Sequence, residues 1–316
     1  MKYTYILCLL LFVVIMPPLL VGAETLQYVP DSCFSVITIS NVQSDKGVHW
    51  LINAYKNSPR ESSLRDLLSA VPAQEMSVAL FPPERGGTFS MLLVVDVGNG
   101  KKAEKALLDK LIETPLTVSI DMTSHKNTII TYNTAEDVGD YAAYAVVQNY
   151  ILVAATLNII KTSLDGNTIG KATVYKSMKS LISTDQDGIL FTNNNNSQFM
   201  DFLRPLEDKW GMSLLLSAEY LQWMGASFDF IDSQRVSGKF VFQGEDTSHI
   251  EDIQDDAEFL GETFKRKFIA ERIDYSGDVQ VDGKTVILNF EIAGLESLWM
   301  KLFEKGVVSL FSLDSE

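Results

Sequence analysis

Cysteine is nearly missing from this chain. Cys8 and Cys33 are the only two in 316 residues, and Cys8 lies inside an N-terminal apolar run. Once that run is removed on export, Cys33 has no partner, which excludes an internal disulfide even in an oxidising compartment. It precedes Phe34 at the start of an apolar strand and reads as a buried, inert thiol. Histidine is almost as scarce, with His49, His125 and His249 the whole set. None has a His, Cys or Glu partner at a ligand spacing, so no local metal motif of the H-E-x-x-H or C-x-x-C kind exists. His125 falls in Ser124-His125-Lys126-Asn127, a turn between strands, and His249 in the first turn of a long helix, where a cation is disfavoured. A general base needs a positioned partner, and the sequence supplies none, so both read as surface residues. Clustered basic side chains are absent too. Lys and Arg number 26 against 41 Asp and Glu, giving −15 at pH 7. Nucleic acid is thereby excluded as a partner, because phosphate binding needs a basic stripe. Acidity of this degree favours solubility and repels anionic surfaces.

One apolar run is present, at the start. Lys2 gives a positive n-region, Tyr5 to Leu20 carries no charge, and Val21-Gly22-Ala23 precedes a cut ahead of Glu24. Residues 1–23 therefore read as a secretory signal peptide. An uncleaved anchor is the competing reading, but Pro17-Pro18 would break a helix before it crossed the roughly 30 Å apolar core. Cys33 follows Asp31-Ser32, which is no lipid-attachment box. The expected mature protein is extracytoplasmic, periplasmic or secreted, and touches a membrane only through its leader before cleavage. It is long enough for one large domain or two ordinary ones.

Hydrophobic periodicity predicts strands and helices in an order that occurs twice. The first unit, 24–135, has a strand at Ser35–Ser40, helical segments over Gly47–Ala70, and strands Met76–Phe81 and Phe89–Val97 about a Pro82-Pro83 and Gly86-Gly87 cluster. A helix at Lys101–Ile112 and strands Leu116–Met122 and Thr128–Tyr132 complete it. The second unit, 187–316, has a strand at Ile189–Thr192 and a helix opened by Asn196 or Ser197, kinked by Pro205 near Arg204. Strands Ala226–Ile231 and Val236–Phe242 follow. In the first of these, Ala226, Phe228 and Phe230 alternate with Ser227 and Asp229, predicting one buried and one wet face. A helix at Ser248–Phe268 carries a Ser248/Glu251 capping box, and Val279–Val281 with Val286–Ile292 flank an Asp282-Gly283 turn. Residues 136–186 connect the units with a hairpin, Tyr144–Val147 and Tyr150–Ala154 about Gln148-Asn149, and helices at Leu157–Leu164 and Val174–Ile182. The fold class expected is α+β, as two related units of antiparallel sheet with helices packed on one face.

The leader followed by Leu26-Gln27-Tyr28-Val29-Pro30-Asp31, the hairpin ending Tyr150-Ile151-Leu152-Val153-Ala154-Ala155 before a helix, and Ser177 to Asp187 leading into Ile189–Thr192 resemble exported bacterial proteins of domain-of-unknown-function family thirty-three fifty-two. The resemblance covers most of the mature chain. It implies a duplicated α+β architecture outside the cytoplasm and brings no catalytic residues with it.

Four strings invite chemical readings. Gly98-Asn99-Gly100-Lys101-Lys102-Ala103 follows an apolar strand and opens a helix, with Asp121 beyond, as in a dinucleotide fingerprint. Its strand reads as a hairpin arm and no parallel βαβ series surrounds it, so a tight strand-to-helix turn is preferred and no cofactor is expected. Gly225-Ala226-Ser227-Phe228-Asp229 lacks the second glycine of a nucleophile elbow. Asp185-Gln186-Asp187-Gly188 resembles the middle of a calcium loop, but the ligand position expected to be Glu falls on Asn194. Asn195-Asn196-Ser197 is a glycosylation acceptor only in a eukaryotic secretory path. The acidic run Glu251–Glu262 is explained by solvation and the helix dipole.

The C-terminal stripe Leu295, Leu298, Trp299, Leu302 and Phe303, continued by Phe311, is the expected partner or ligand surface, with docking on its own core as the alternative. The function expected is non-catalytic, with no catalytic, cofactor or metal residues: an exported protein binding an envelope partner or an apolar small molecule. The rival is an exported hydrolase whose residues meet only in the fold. A scaffolding ectodomain is the third reading, separated from the first by whether a cavity of about 300 Å³ or more exists between sheet and helix.

Overall fold

A computed structural model describes residues 24–40, 73–82, 89–101, 120–134, 143–182, 187–194, 217–232, 234–270 and 273–295. The strands are β1 (Ser35–Ile39), β2 (Glu75–Phe81), β3 (Ser90–Asp96), β4 (Ile120–His125), β5 (Thr128–Asn133), β6 (Ala143–Val147), β7 (Tyr150–Ala154), β8 (Gly188–Asn193), β9 (Leu221–Phe230), β10 (Arg235–Gly244), β11 (Asp274–Asp282) and β12 (Thr285–Ala293). The helices are α1 (Leu157–Asp165), α2 (Thr173–Leu181) and α3 (Ile250–Ala270). The predicted leader, the helices at Gly47–Ala70 and Asn196–Trp210, the body of the Lys101–Ile112 helix and the stripe beyond Leu295 lie outside the described residues.

All the strands join one sheet of 12, in the order β11-β12-β10-β9-β8-β1-β2-β3-β7-β6-β5-β4, and every pairing is antiparallel. This corrects the expectation of a separate sheet for each unit. The seam is β1 against β8, with Ile37 opposite Leu190 and the Ser35 and Thr192 hydroxyls 2.9 Å apart. β1, Ser-Val-Ile-Thr-Ile, is β-branched from Val36 to Ile39 and buried at all 5 residues. Such a strand belongs in the middle of a sheet, where both edges and both faces are covered. The hairpin β6–β7, expected to connect the units, lies between β3 and β5 as part of the sheet.

Outward from the seam the order repeats. β1-β2-β3-β7-β6 on one side runs as β8-β9-β10-β12-β11 does on the other. The registers place Ile37, Val78, Leu93, Val153 and Tyr144 in the positions that Leu190, Ala226, Phe240, Leu288 and Val279 hold across the seam. The hairpins β6–β7 and β11–β12, which fill the matching places in the two halves, close with two-residue turns whose first residue has positive φ, Gln148 at 53° and Gly283 at 58°.

Helices cover both faces, not one. On one face α1 and α2 pack with Val36, Ala79, Leu92, Val94, Leu152, Phe191, Trp223 and Val241 in a single apolar cluster. Phe240, next to Val241 and so on the opposite face, meets Phe264 of α3 at 6.4 Å between ring centroids. Phe228, Phe240 and Phe290 form an aromatic layer there, with centroids 5.3–6.4 Å apart. Ser227 was expected on a wet face and is fully buried, because α2 spreads over that side of β9 and Met178 reaches Gly225. At the start of α3 the Ser248 hydroxyl bonds Asp246 in place of the expected capping box. Asp256, buried in the same helix, accepts the Ser217 amide and hydroxyl at 2.6 Å each and ties α3 to the entry of β9. No helix among the described residues is long and apolar enough to cross a membrane.

Candidate functional site

On the side away from α3, β11, β12 and the Ser237–Lys239 stretch of β10 present a sheet face beyond the C-terminal end of α2, whose Leu181 carbonyl meets Lys239. An open hollow of about 520 Å³ lies on it, lined by Ser237, Gly238 and Lys239 of β10, Asn289, Phe290 and Glu291 of β12, and Ser276, Gly277 and Asp278 of β11. The sequence builds it in one row. Gly238 and Gly277 both pair with Phe290, so an aromatic residue stands between two glycines. A Cβ on Gly238 would lie 2.8 Å from the Phe290 ring and 2.4 Å from the Ser227 carbonyl oxygen, and one on Gly277 would lie 2.7 Å from the Tyr275 hydroxyl. The glycines let the Phe290 and Tyr275 rings close over them on the α3 side. On the opposite side this row, like any row of a sheet, presents backbone, flanked there by the polar side chains of the neighbouring rows.

Those side chains have set positions. Asp278 accepts from Gln280 at 2.9 Å and Asn289 at 3.2 Å. Lys239 Nζ donates to the Leu181 carbonyl oxygen at 2.6 Å, a cation on the C-terminus of α2. Burial beside the helix holds its pKa below the ordinary lysine value. Beneath Gly277, Tyr275 is pushed up to about 12 by burial and then by Glu262 and Asp278, and its hydroxyl has no partner among the described residues. The hollow is thus polar, with two carboxylates, one ammonium, and amide and hydroxyl groups facing outward. Its volume suits a ligand site of about 300–1,000 Å³, yet it is open rather than enclosed between sheet and helix.

The residues singled out by sequence are scattered. Asp96 accepts the Gly98 amide at 2.8 Å in the turn after β3, and Asp121 stands on β4 at the far edge of the sheet, held by the Tyr132 hydroxyl at 3.0 Å. His125 Nε2 meets Asp165 at 2.9 Å, and Lys126 joins the same carboxylate at 3.0 Å. The hydrogen bonds from His125 and Lys126 hold Asp165 below the ordinary carboxyl range. His249 stacks on Tyr220 with 3.7 Å between centroids and faces Asp252 at 3.1 Å. Both described histidines thus bond carboxylates, and both pairs stand partly exposed. Asp187 is buried at the mouth of β8 and accepts the Phe230 amide at 2.6 Å. Cys33 is buried, and burial pushes its thiol far above the ordinary value. Leu295 is 2% exposed and its amide bonds the Gln234 carbonyl; Leu298, Trp299, Leu302, Phe303 and Phe311 lie outside the described residues.

A second polar cluster, unnoticed in the sequence, lies inside the other half. Glu75 opens β2 and is 6% exposed. Its carboxylate accepts the Thr25 amide at 2.6 Å, the Thr25 hydroxyl, and the Ser40 hydroxyl at 3.2 Å. The Thr25 hydroxyl also meets Ser77, which meets Thr38. No basic side chain among the described residues pairs with Glu75. Burial raises its pKa, and the hydrogen bonds from Thr25, Ser40 and the Glu24 amide oppose that rise without cancelling it. Nearby, Tyr150 donates to the Glu24 side chain at 2.8 Å, and the buried Tyr175 hydroxyl has no partner among the described residues. The signal available in the sequence was an acid at the head of an apolar strand.

Comparison with protein families, with curated proteins and with solved structures finds no match for this chain.

Proposed function

We propose that this is an exported, non-catalytic binding protein whose partner docks on the open face of β10, β12 and β11. The observation that carries the reading is the open polar hollow of about 520 Å³ on the sheet face beyond the end of α2. Of the two occupants expected from sequence, its lining favours a partner surface that offers hydrogen-bonding groups over an apolar molecule, since an apolar group would strip water from Lys239, Asp278 and Glu291 without repayment. Export rests on the leader pattern, and the resemblance to domain-of-unknown-function family thirty-three fifty-two agrees with it. We also infer that the two halves are copies of one unit; the repeated five-strand order and the matched hairpins β6–β7 and β11–β12 support this.

The test places a photo-crosslinking residue at Ser237, at Ser276, or at the exposed Phe259 of α3, in protein made by its own host. A single adduct formed from Ser237 and Ser276 and absent from Phe259 is the expected result. Adduct from all three positions, or bare monomer by native mass spectrometry, counts against the reading.

A further inference from the structure

The segment that follows the predicted cut is built into the core. Thr25 is fully buried, Leu26 is 3% and Val29 0% exposed, and Pro30 bridges to Thr168 between α1 and α2. Position 24 is fixed from two sides, by the Tyr150 hydroxyl on its side chain and by the Thr25 amide bonded to Glu75. The Glu24 amide itself also reaches the Glu75 carboxylate. The other titratable groups acting around this point are Glu24, Asp96, Tyr150 and Tyr175, all acids. A buried carboxylate among acids, with backbone N–H and hydroxyl groups as its donors, lacks a cation among the described residues.

We propose that removal of the leader ahead of Glu24 supplies that cation, the new α-ammonium of Glu24 pairing with the buried Glu75 carboxylate and locking the mature N-terminus into the sheet. The inference rests on the leader reading above. In the step itself, water cleaves the Ala23–Glu24 peptide bond under a leader-removing peptidase. The C–N bond breaks, the oxygen goes to the Ala23 carboxylate, and the Glu24 nitrogen leaves as an amine that takes a proton. A free α-amine has a pKa of about 7.7–8.0, so it is charged at neutral pH before any help from Glu75. One neutral donor becomes an ammonium in the same place. Processing then completes a core pair that the precursor cannot make.

The sign of the pH effect separates the two forms. In a chain with an amide at Glu24, the folded pKa of Glu75 is raised above its ordinary 4.5, so stability falls as pH climbs from that value through the folded one. With the ammonium present the carboxylate is held ionised and this loss disappears. The amine's own folded pKa is raised instead, so its contribution is full below about pH 8 and is lost as pH rises through the folded value.

Three forms decide the matter: protein beginning at Glu24, the same protein with Gly-Ser added before Glu24, and the Nα-acetylated protein. At pH 6 the first is expected to melt at least about 3 °C above the other two. That gap closes in a Glu75→Gln background, and the α-amine titrates above its ordinary value by amine-labelling rate against pH. Equal melting across the three wild-type forms, or an amine that titrates at its ordinary value, overturns the pairing even where Glu75→Gln fails to fold. Intact-mass measurement of protein exported by its own host tests the leader separately. A start at Glu24 is expected, and any other start overturns the role of processing while leaving the in vitro comparison to judge the pair.

Discussion

A Cβ on Gly100 would lie 1.9 Å from the carbonyl oxygen of Gln148, so the chain between β3 and the next helix runs against the turn of the β6–β7 hairpin. The Val97 amide bonds the Asn149 carbonyl at 2.8 Å in the same place. A spacing that resembles a phosphate cradle is therefore accounted for by one backbone crossing another. Gly100→Ala should destabilise the fold by about 3 kcal/mol, because the obstructing atom is backbone and cannot swing aside. Urea unfolding measures this, and a change under about 0.5 kcal/mol, typical of a free surface position, would refute the contact. At this scale the sequence was informative about Cys33 and silent about Glu75. The burial of Cys33 follows from its apolar neighbours along the chain. That of Glu75 depends on Thr25 and Ser40, which come near only through the pairing of β1 with β2 and the docking of the N-terminal segment.

Local elements were the most legible. The hairpin about Gln148-Asn149 and both short helices stand within a residue or two of where periodicity puts them, since each is specified by contacts among near neighbours. β9 was read short at its start because Trp223–Gly225 is buried on both faces and shows no alternation. The same hairpin gives a prediction. Gln148 sits at φ 53°, a left-handed conformation that costs a side-chain-bearing residue about 1–2 kcal/mol. Gln148→Gly should therefore raise stability by a few tenths to about 1 kcal/mol, less than the full strain because glycine also loosens the unfolded chain. Paired thermal melts check the direction; a lower melting temperature would mean that the Gln148 side chain contributes more than its backbone costs. The hollow was not legible, because its polar lining from β10, β12 and β11 comes together only through the pairing of three strands.

At the scale of the molecule, the decisive contact is the β1–β8 ladder, whose members stand about half the chain apart. No local pattern encodes such a pairing, and for that reason periodicity yields two units where the structure has one sheet. A continuous sheet with β1 at its centre should unfold as one body. Scanning calorimetry of the mature protein is expected to give a single transition with calorimetric and van't Hoff enthalpies equal, and two resolved peaks would restore independent domains.

The place of β1 also sets an order of events for a chain that emerges from its N-terminus. Ser35–Ile39 leaves the ribosome or the export channel early, while Gly188–Thr192 follows only after most of the first half has been made. Until then this fully buried central strand has an unfilled side, open to any other extended segment nearby. Newly arrived molecules are thus exposed to mispairing for as long as the second half takes to appear, and a truncated product ending before residue 188 would carry that adhesive rim permanently.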